Sequence, residues 1–189
     1  MTNSFPEEVL SMGEQRIARH DSGKVRLEYV DALFRRHYPD LLRLAVVMLG
    51  DREAAEDAVQ DAFVSLQRNW RTLRDPGAAE GYLRSAVLNR SRSWVRRQVT
   101  QRAKRPLMLV RDERPPGPED TAVAHDEVGS VVAAMRTLAR RQREVLACRY
   151  VLELSVAETA HLLQISEGSV KVHAHRGLQA LHQRIEVTR

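Results

Sequence analysis

The chain has 189 residues, a formal net charge of +5 at neutral pH and a pI of about 9.9. That length allows one domain or two small ones, and the charge favours an anionic partner without deciding a fold. A single cysteine, Cys148, excludes a disulfide framework and a thiolate metal cluster, and the longest apolar stretch, Leu41 to Leu49, is too short for a membrane span and carries Arg43. The start lacks the apolar segment of a signal peptide, so a cytoplasmic protein with no membrane insertion is expected.

Residues 1–22 are polar and weakly patterned, which suggests a flexible N-terminal extension. Helical spacing begins near Val25 and runs through Tyr29, Ala32 and Leu33. His37-Tyr38-Pro39 predicts a break, with Pro39 in the first turn of the next helix, where a missing N–H costs nothing. That helix carries Leu41, Leu42, Leu44, Ala45, Val46 and Met48 and stops at Gly50. Asp51 caps another helix reaching to about Trp70, and Asp75-Pro76 opens a long one to about Gln101. From Pro106 to about Val123, Pro106, Pro115, Pro116, Gly117 and Pro118 prevent a helix while Asp112, Glu113, Glu119 and Asp120 make the segment acidic. Helical periodicity resumes near Asp126 and no strand alternation appears anywhere. The expected architecture is therefore all-α: a helical domain over 23–104, a flexible Pro-rich acidic linker over 105–125, and a second helical domain over 126–189.

The second domain contains a helix-turn-helix, LSVAETAHLLQISEGSVKVHAHRGL over residues 154–178. Ser155 and Glu158 form a capping box, Gln164-Ile165 makes the turn, and Ser166 caps the second helix. Ala160 lets the helices cross closely, with Leu163, Ile165 and Val170 beneath. Val170, Ala174, Leu178, Leu181 and Ile185 are expected as the inward stripe of the second helix. Ser169, Lys171, Val172, His173 and Arg176 then face outward, and these residue types reach phosphates and base edges in a major groove.

The first domain holds two further constellations. After Asp51, Ala55, Val59, Ala62, Phe63 and Leu66 form an inward stripe, leaving Asp57, Gln60, Asp61 and Val64 on or near the other side. Such an acidic face suits solvent, a basic groove on a partner, or metal-dependent catalysis by Glu56, Asp57 and Asp61. The last is poor, because adjacent Glu56 and Asp57 diverge by about 100° around a helix. After Asp75 comes a basic run, Arg84, Arg90, Arg92, Arg96, Arg97, Arg102, Lys104 and Arg105, with no acid among them. Uncompensated like charges on a helix repel, so an anionic partner is expected there. With Trp70, Tyr82 and Trp94 nearby, this fits single-stranded nucleic acid, unless those aromatics are simply core. His161, His173, His175 and His182 cluster without the spacing of a metal site, and Cys148 sits as a small buried filler.

Taken together these motifs resemble the sigma-70 family of bacterial transcription initiation factors, in its compact two-domain extracytoplasmic-function (group 4) type. The resemblance covers about residues 27–104 and 126–186. AAEDAVQDAF (54–63) is similar to the helix that binds the polymerase clamp, YLRSAVLNRSRSWVRRQ (82–98) to the −10 recognition helix, and residues 138–181 to the −35-binding domain. In that last stretch Arg143-Glu144, Arg149, the Ser155/Glu158 pair, Ser166, Gly168, Val170, Lys171 and Arg176 fall in register. The chain departs from the pattern at Gln164 for the turn Gly, Thr159 for a core aliphatic, Val172-His173 for Ser-Arg, Ser93 for Asp and Tyr82 for Trp. A left-handed turn residue at Gln164 would be strained, or the turn differs.

The resemblance implies a non-enzymatic alternative sigma factor without cofactor or metal, which binds core RNA polymerase, directs it to promoters and helps melt the −10 region. It implies Asp57, Gln60 and Asp61 on the clamp of the largest subunit, with region 4 on the flap. Arg84, Asn89, Arg90, Arg92, Arg96 and Arg97 would hold the melted non-template strand, an unstacked base entering the loop between Trp70 and Glu80. Ser169, Lys171, Val172, His173 and Arg176 would meet the −35 duplex. The acidic linker would thread the polymerase's RNA channel, and an anti-sigma factor is a further partner that the family allows. The alternative is a helix-turn-helix regulator that binds duplex DNA without docking on polymerase.

Overall fold

The computed structural model of the chain describes residues 23–73, 77–104 and 127–188; the expected extension over 1–22, the linker over 105–125 and the Asp75-Pro76 cap lie outside them. All the elements described are helical: α1 (Gly23–Leu49), α2 (Arg52–Arg68), a 3-10 turn (Trp70–Thr72), α3 (Ala78–Lys104), α4 (Glu127–Arg136), α5 (Arg140–Leu146), a π-helical turn (Ala147–Val151), α6 (Val156–Leu163) and α7 (Glu167–Thr188). The all-α, two-unit reading holds, with α1, α2 and α3 packed on one another and α4 to α7 gathered around α5 and α7.

One expected boundary is absent. The break at His37-Tyr38-Pro39 does not occur, and α1 runs through Pro39 without interruption. A proline inside a helix leaves the carbonyl four residues earlier without its N–H. Here Pro39 is exposed and so is Arg35, the residue whose carbonyl is freed, so water can take that bond. The stop at Gly50 is as expected: its φ is +67°, a left-handed value that glycine adopts without strain, and its N–H returns to Val46 O at 2.7 Å.

Leu44, Leu66, Leu83 and Leu88 are completely buried between α1, α2 and α3, and Ala55, Val59, Ala62, Phe63 and Leu66 form the inward stripe expected of α2. Trp70 is core, edge-on to Tyr29 with ring centroids 5.5 Å apart, which removes it from the set of stacking aromatics. In the C-terminal unit the core includes Val145, Leu146, Cys148, Leu163 and Val170. Of the stripe expected on α7, Val170 is buried and Ala174 and Leu181 pack against the core, the side chain of Ile185 lies outside the described ones, and Leu178 departs. Leu178 is 44% exposed and Gly177 takes the inward place instead. The α5–α7 crossing explains this: a Cβ at Gly177 would stand 2.9 Å from Leu146 Cδ1 and 3.3 Å from Gln142 Cβ, so the close approach requires glycine.

The two units are in contact. The Arg136 side chain lies over Gly50, and the Arg143 guanidinium donates to Met48 O at the end of α1 (3.1 Å) as well as to Arg136 O (3.0 Å) and Leu138 O (3.3 Å). Carbonyls at helix C-termini lack intrahelical partners, and one planar donor here serves two helix ends. Burial and the neighbouring Arg136 pull the Arg143 pKa down from its ordinary value.

Thr159 tests the packing of α6. It is completely buried, and its hydroxyl meets no hydrogen-bond partner among the described residues. Valine has nearly the same shape and helix propensity, so Thr159→Val should raise stability by about 1–2 kcal/mol, read by urea denaturation. A loss of stability would show that the hydroxyl is bonded.

Candidate nucleic-acid interface

The α2 helix starts where Asp51 accepts the Ala54 N–H at 3.0 Å. Its buried stripe leaves Asp57, Gln60, Asp61 and Val64 exposed, as the spacing required. Between this face and α3 lies an open groove of about 730 Å³, lined among others by Asp57, Asp61, Asn89, Arg90, Trp94 and Arg97. Glu56 is paired with Arg52 at 2.9 Å, and Asp61 lies 3.6 Å from Arg90. Among the described residues no three of His, Cys, Asp and Glu come together as metal ligands.

The arginines of α3 are less uncompensated than their sequence suggests. Arg84 pairs with Glu80 one turn away. Arg90 donates to Ser65 Oγ at 2.5 Å besides its contact with Asp61. Arg92 donates to the Asn89 side-chain oxygen at 3.1 Å and to both carboxylate oxygens of Glu144 in the other unit. Arg96 and Arg97 are exposed and meet no acid among the described residues. The expectation of a run awaiting an external anion is thus corrected for its first three members: Glu80 on the same helix pairs with Arg84, and Asp61 and Glu144, brought in by folding, meet Arg90 and Arg92. Asn89 is exposed; Trp94 is half-buried on the groove, and the Tyr82 hydroxyl accepts from Asn69 Nδ2 at 3.0 Å.

In the C-terminal unit the capping box is complete: Ser155 Oγ accepts the Glu158 N–H at 3.1 Å and the Glu158 carboxylate accepts the Ser155 N–H at 2.7 Å. Gln164 does adopt the left-handed conformation (φ 56°, ψ 49°), and its side-chain amide donates to His161 O at 3.1 Å, partly offsetting the cost of a non-glycine residue there. Ser166 Oγ accepts the Ser169 N–H at 3.2 Å and starts α7. Along α7, Lys171, Val172 and Arg176 are exposed while Ser169 and His173 are half-buried; Ser169, Val172, His173 and Arg176 fall within about 100° of one helix face, and Lys171 lies to its flank. No residue spacing predicts the π-helical turn before this motif, where Arg149 donates to Leu154 O and Glu153 sits at φ 54°. Cys148 within that turn is buried, and burial with nearby Glu144 pushes its thiol up to about 12, so it is inert.

An exposed basic helix beside an acidic one, followed by a helix-turn-helix, defines a DNA-binding initiation or regulatory factor. The models for Sigma-70 region 2 and Sigma-70, region 4 match residues 33–100 and 129–181. The chain is 28% identical over 168 residues to the ECF RNA polymerase sigma factor SigX of Bacillus subtilis (86% of each chain) and 30% identical over 156 residues to the RNA polymerase sigma-E factor of Streptomyces antibioticus (82% of this chain, 84% of the relative). Its fold matches that of CnrH, solved in complex with the cytosolic domain of CnrY, with a TM-score of 0.69 at 19% identity over 96% of this chain and 99% of that one. The chain belongs to the sigma-70 family of RNA polymerase sigma factors, in its ECF branch. It is an alternative sigma factor, whose partners are core RNA polymerase and promoter DNA.

The capping box gives a pH signature. Hydrogen bonds from the Ser155 side chain, then from its backbone, hold the Glu158 carboxyl below the usual carboxylate range. A depressed folded pKa adds stability above the unfolded value, and this is lost as pH falls through the folded one. Ser155→Ala should return Glu158 toward an ordinary carboxylate value in a ¹³C NMR titration and cost about 1 kcal/mol of stability. An unmoved titration would refute the box.

Proposed function

We propose that α2 and α3 divide the work of the N-terminal unit. Asp57, Gln60 and Asp61 present an acidic face to the basic clamp of the polymerase's largest subunit. Complementary charge of this kind sets orientation and on-rate as much as affinity. Arg84, Asn89, Arg90, Arg92, Arg96 and Arg97 hold the melted non-template −10 strand, with the exposed pair Arg96 and Arg97 available before any internal partner is given up. The observation that carries the reading is the juxtaposition of the two faces across one groove lined by Asp57, Asp61, Arg90 and Arg97.

In the C-terminal unit, Lys171 and Arg176 position α7 on phosphates of the −35 duplex, while Ser169, Val172 and His173 meet base edges. Val172, 46% exposed, is suited to a thymine methyl. The domain limits follow: extension 1–22, region 2 over 23–104, linker 105–125 and region 4 over 126–189, the last also reaching the polymerase flap. The factor acts without catalysis or cofactor, in the cytoplasm; no described helix is long and apolar enough to cross a membrane. A regulator that binds only duplex DNA would leave the exposed face of α2 without a use.

Asp57→Ala should weaken binding to core polymerase about threefold to tenfold and leave −35 duplex affinity unchanged, both measured by fluorescence anisotropy. Equal losses in the two assays would contradict the assignment. Arg96→Ala with Arg97→Ala should lower permanganate reactivity of the −10 thymines in the holoenzyme–promoter complex; reactivity at the wild-type level would contradict a strand-holding role.

A further inference from the structure

Glu144 is a carboxylate with no exposed surface. Removing such a group from water costs several kcal/mol unless charges and hydrogen bonds replace the solvent. Its own helix supplies Arg141, which donates to Oε2 at 2.8 Å, and Arg140 at 3.8 Å. The best-placed partner comes from the other unit. Arg92 of α3 sends two parallel N–H bonds, Nε to Oε1 at 2.8 Å and Nη2 to Oε2 at 3.1 Å, the fork-to-fork geometry that gives the strongest carboxylate pairs. The preceding residue, Arg143, reaches the opposite way to the end of α1, where Arg136 also lies over Gly50. Adjacent residues of α5 thus fasten the C-terminal unit to both α1 and α3.

The Arg92 fork is one of the groups assigned above to the −10 strand. With both prongs on Glu144 it is not free to hold a phosphate. We propose that the packed chain is a self-latched form, in which Glu144 acts as an internal anion in the place of the strand phosphate. Arg143 on the α1 terminus secures the same seam. The occupant of the α1–α3 surface is therefore the chain's own α5, and the two units must separate before Arg92 can engage DNA. The inference rests on the −10 role proposed for Arg92.

The test uses the full chain, with donor and acceptor dyes on cysteines introduced at the exposed positions Gln67 and Gln179; buried Cys148 does not compete for label. Glu144→Gln keeps the shape and removes the charge. Arg92→Met cuts the latch from the other side without altering the C-terminal unit, and circular dichroism checks that both variants stay helical. Each should shift the ratio of open to closed chains by about tenfold or more, as expected when one partner of a buried pair is lost. The Glu144→Gln chain should also bind a labelled AT-rich single-stranded oligonucleotide several-fold more tightly than wild type, and Arg92→Met should not. Wild-type energy transfer in both variants would overturn the latch. Opening in both, with equal oligonucleotide affinity, would instead overturn the strand-holding role of Arg92 and with it the masking.

Discussion

A carboxylate shut away from water must find its counter-charges within the protein, and Glu144 finds them in both halves of the molecule. Arg141 belongs to its own helix, and Arg92 lies 52 residues earlier on α3. This ion cluster, with Arg143 on the end of α1, sets how the two helical units face each other. It also decides which arginines are spoken for. Arg84, Arg90 and Arg92 all have acidic partners, while Arg96 and Arg97 stand free of any acid among the described residues.

Within each unit, function depends on helices that spend one face on the core and keep the other. On α2, alanines and Val59, Phe63 and Leu66 are consumed by packing, which leaves Asp57, Gln60 and Asp61 fixed in spacing on a rigid surface. On α7, Val170 and Gly177 turn inward, and Gly177 permits the close α5 crossing that aims Lys171, Val172 and Arg176 outward. Both helices begin at side-chain caps, Asp51 and Ser166. The same local chemistry that starts the helices thus sets the rotation at which their working faces emerge.

What could be read from the chain was local. The capping box, the stop at Gly50, the cap at Asp51 and the inward stripe of α2 all follow from a residue and its near neighbours, whereas the sequence left the conformation at Gln164 open. Departures came where distant contacts decided. Pro39 looked like a boundary because a sequence pattern does not show that Arg35, whose carbonyl loses its N–H partner, is exposed to solvent. Leu178 looked like core because apolar spacing cannot register that Leu146 and Gln142 leave room for only a glycine one position earlier. The arginine run looked unneutralised at Arg90 and Arg92 because Asp61 and Glu144 lie far from it in sequence, with Arg92 and Glu144 meeting only once the two units pack; Glu80, one turn before Arg84, was legible in the sequence. Assigning the polymerase- and promoter-binding faces depended on resemblance in motif order, since an acidic helix face alone suits solvent as well as a partner.

The most direct check of the arrangement is site-specific photo-crosslinking in holoenzyme reconstituted from the full chain and core polymerase. A photoreactive amino acid placed at Gln60, on the exposed face of α2, should crosslink to the clamp of the largest subunit. The same probe placed at Lys171 should reach promoter DNA and not the clamp. Absence of a clamp crosslink from Gln60, in holoenzyme that forms normally, would contradict the central claim that this acidic face docks on the polymerase.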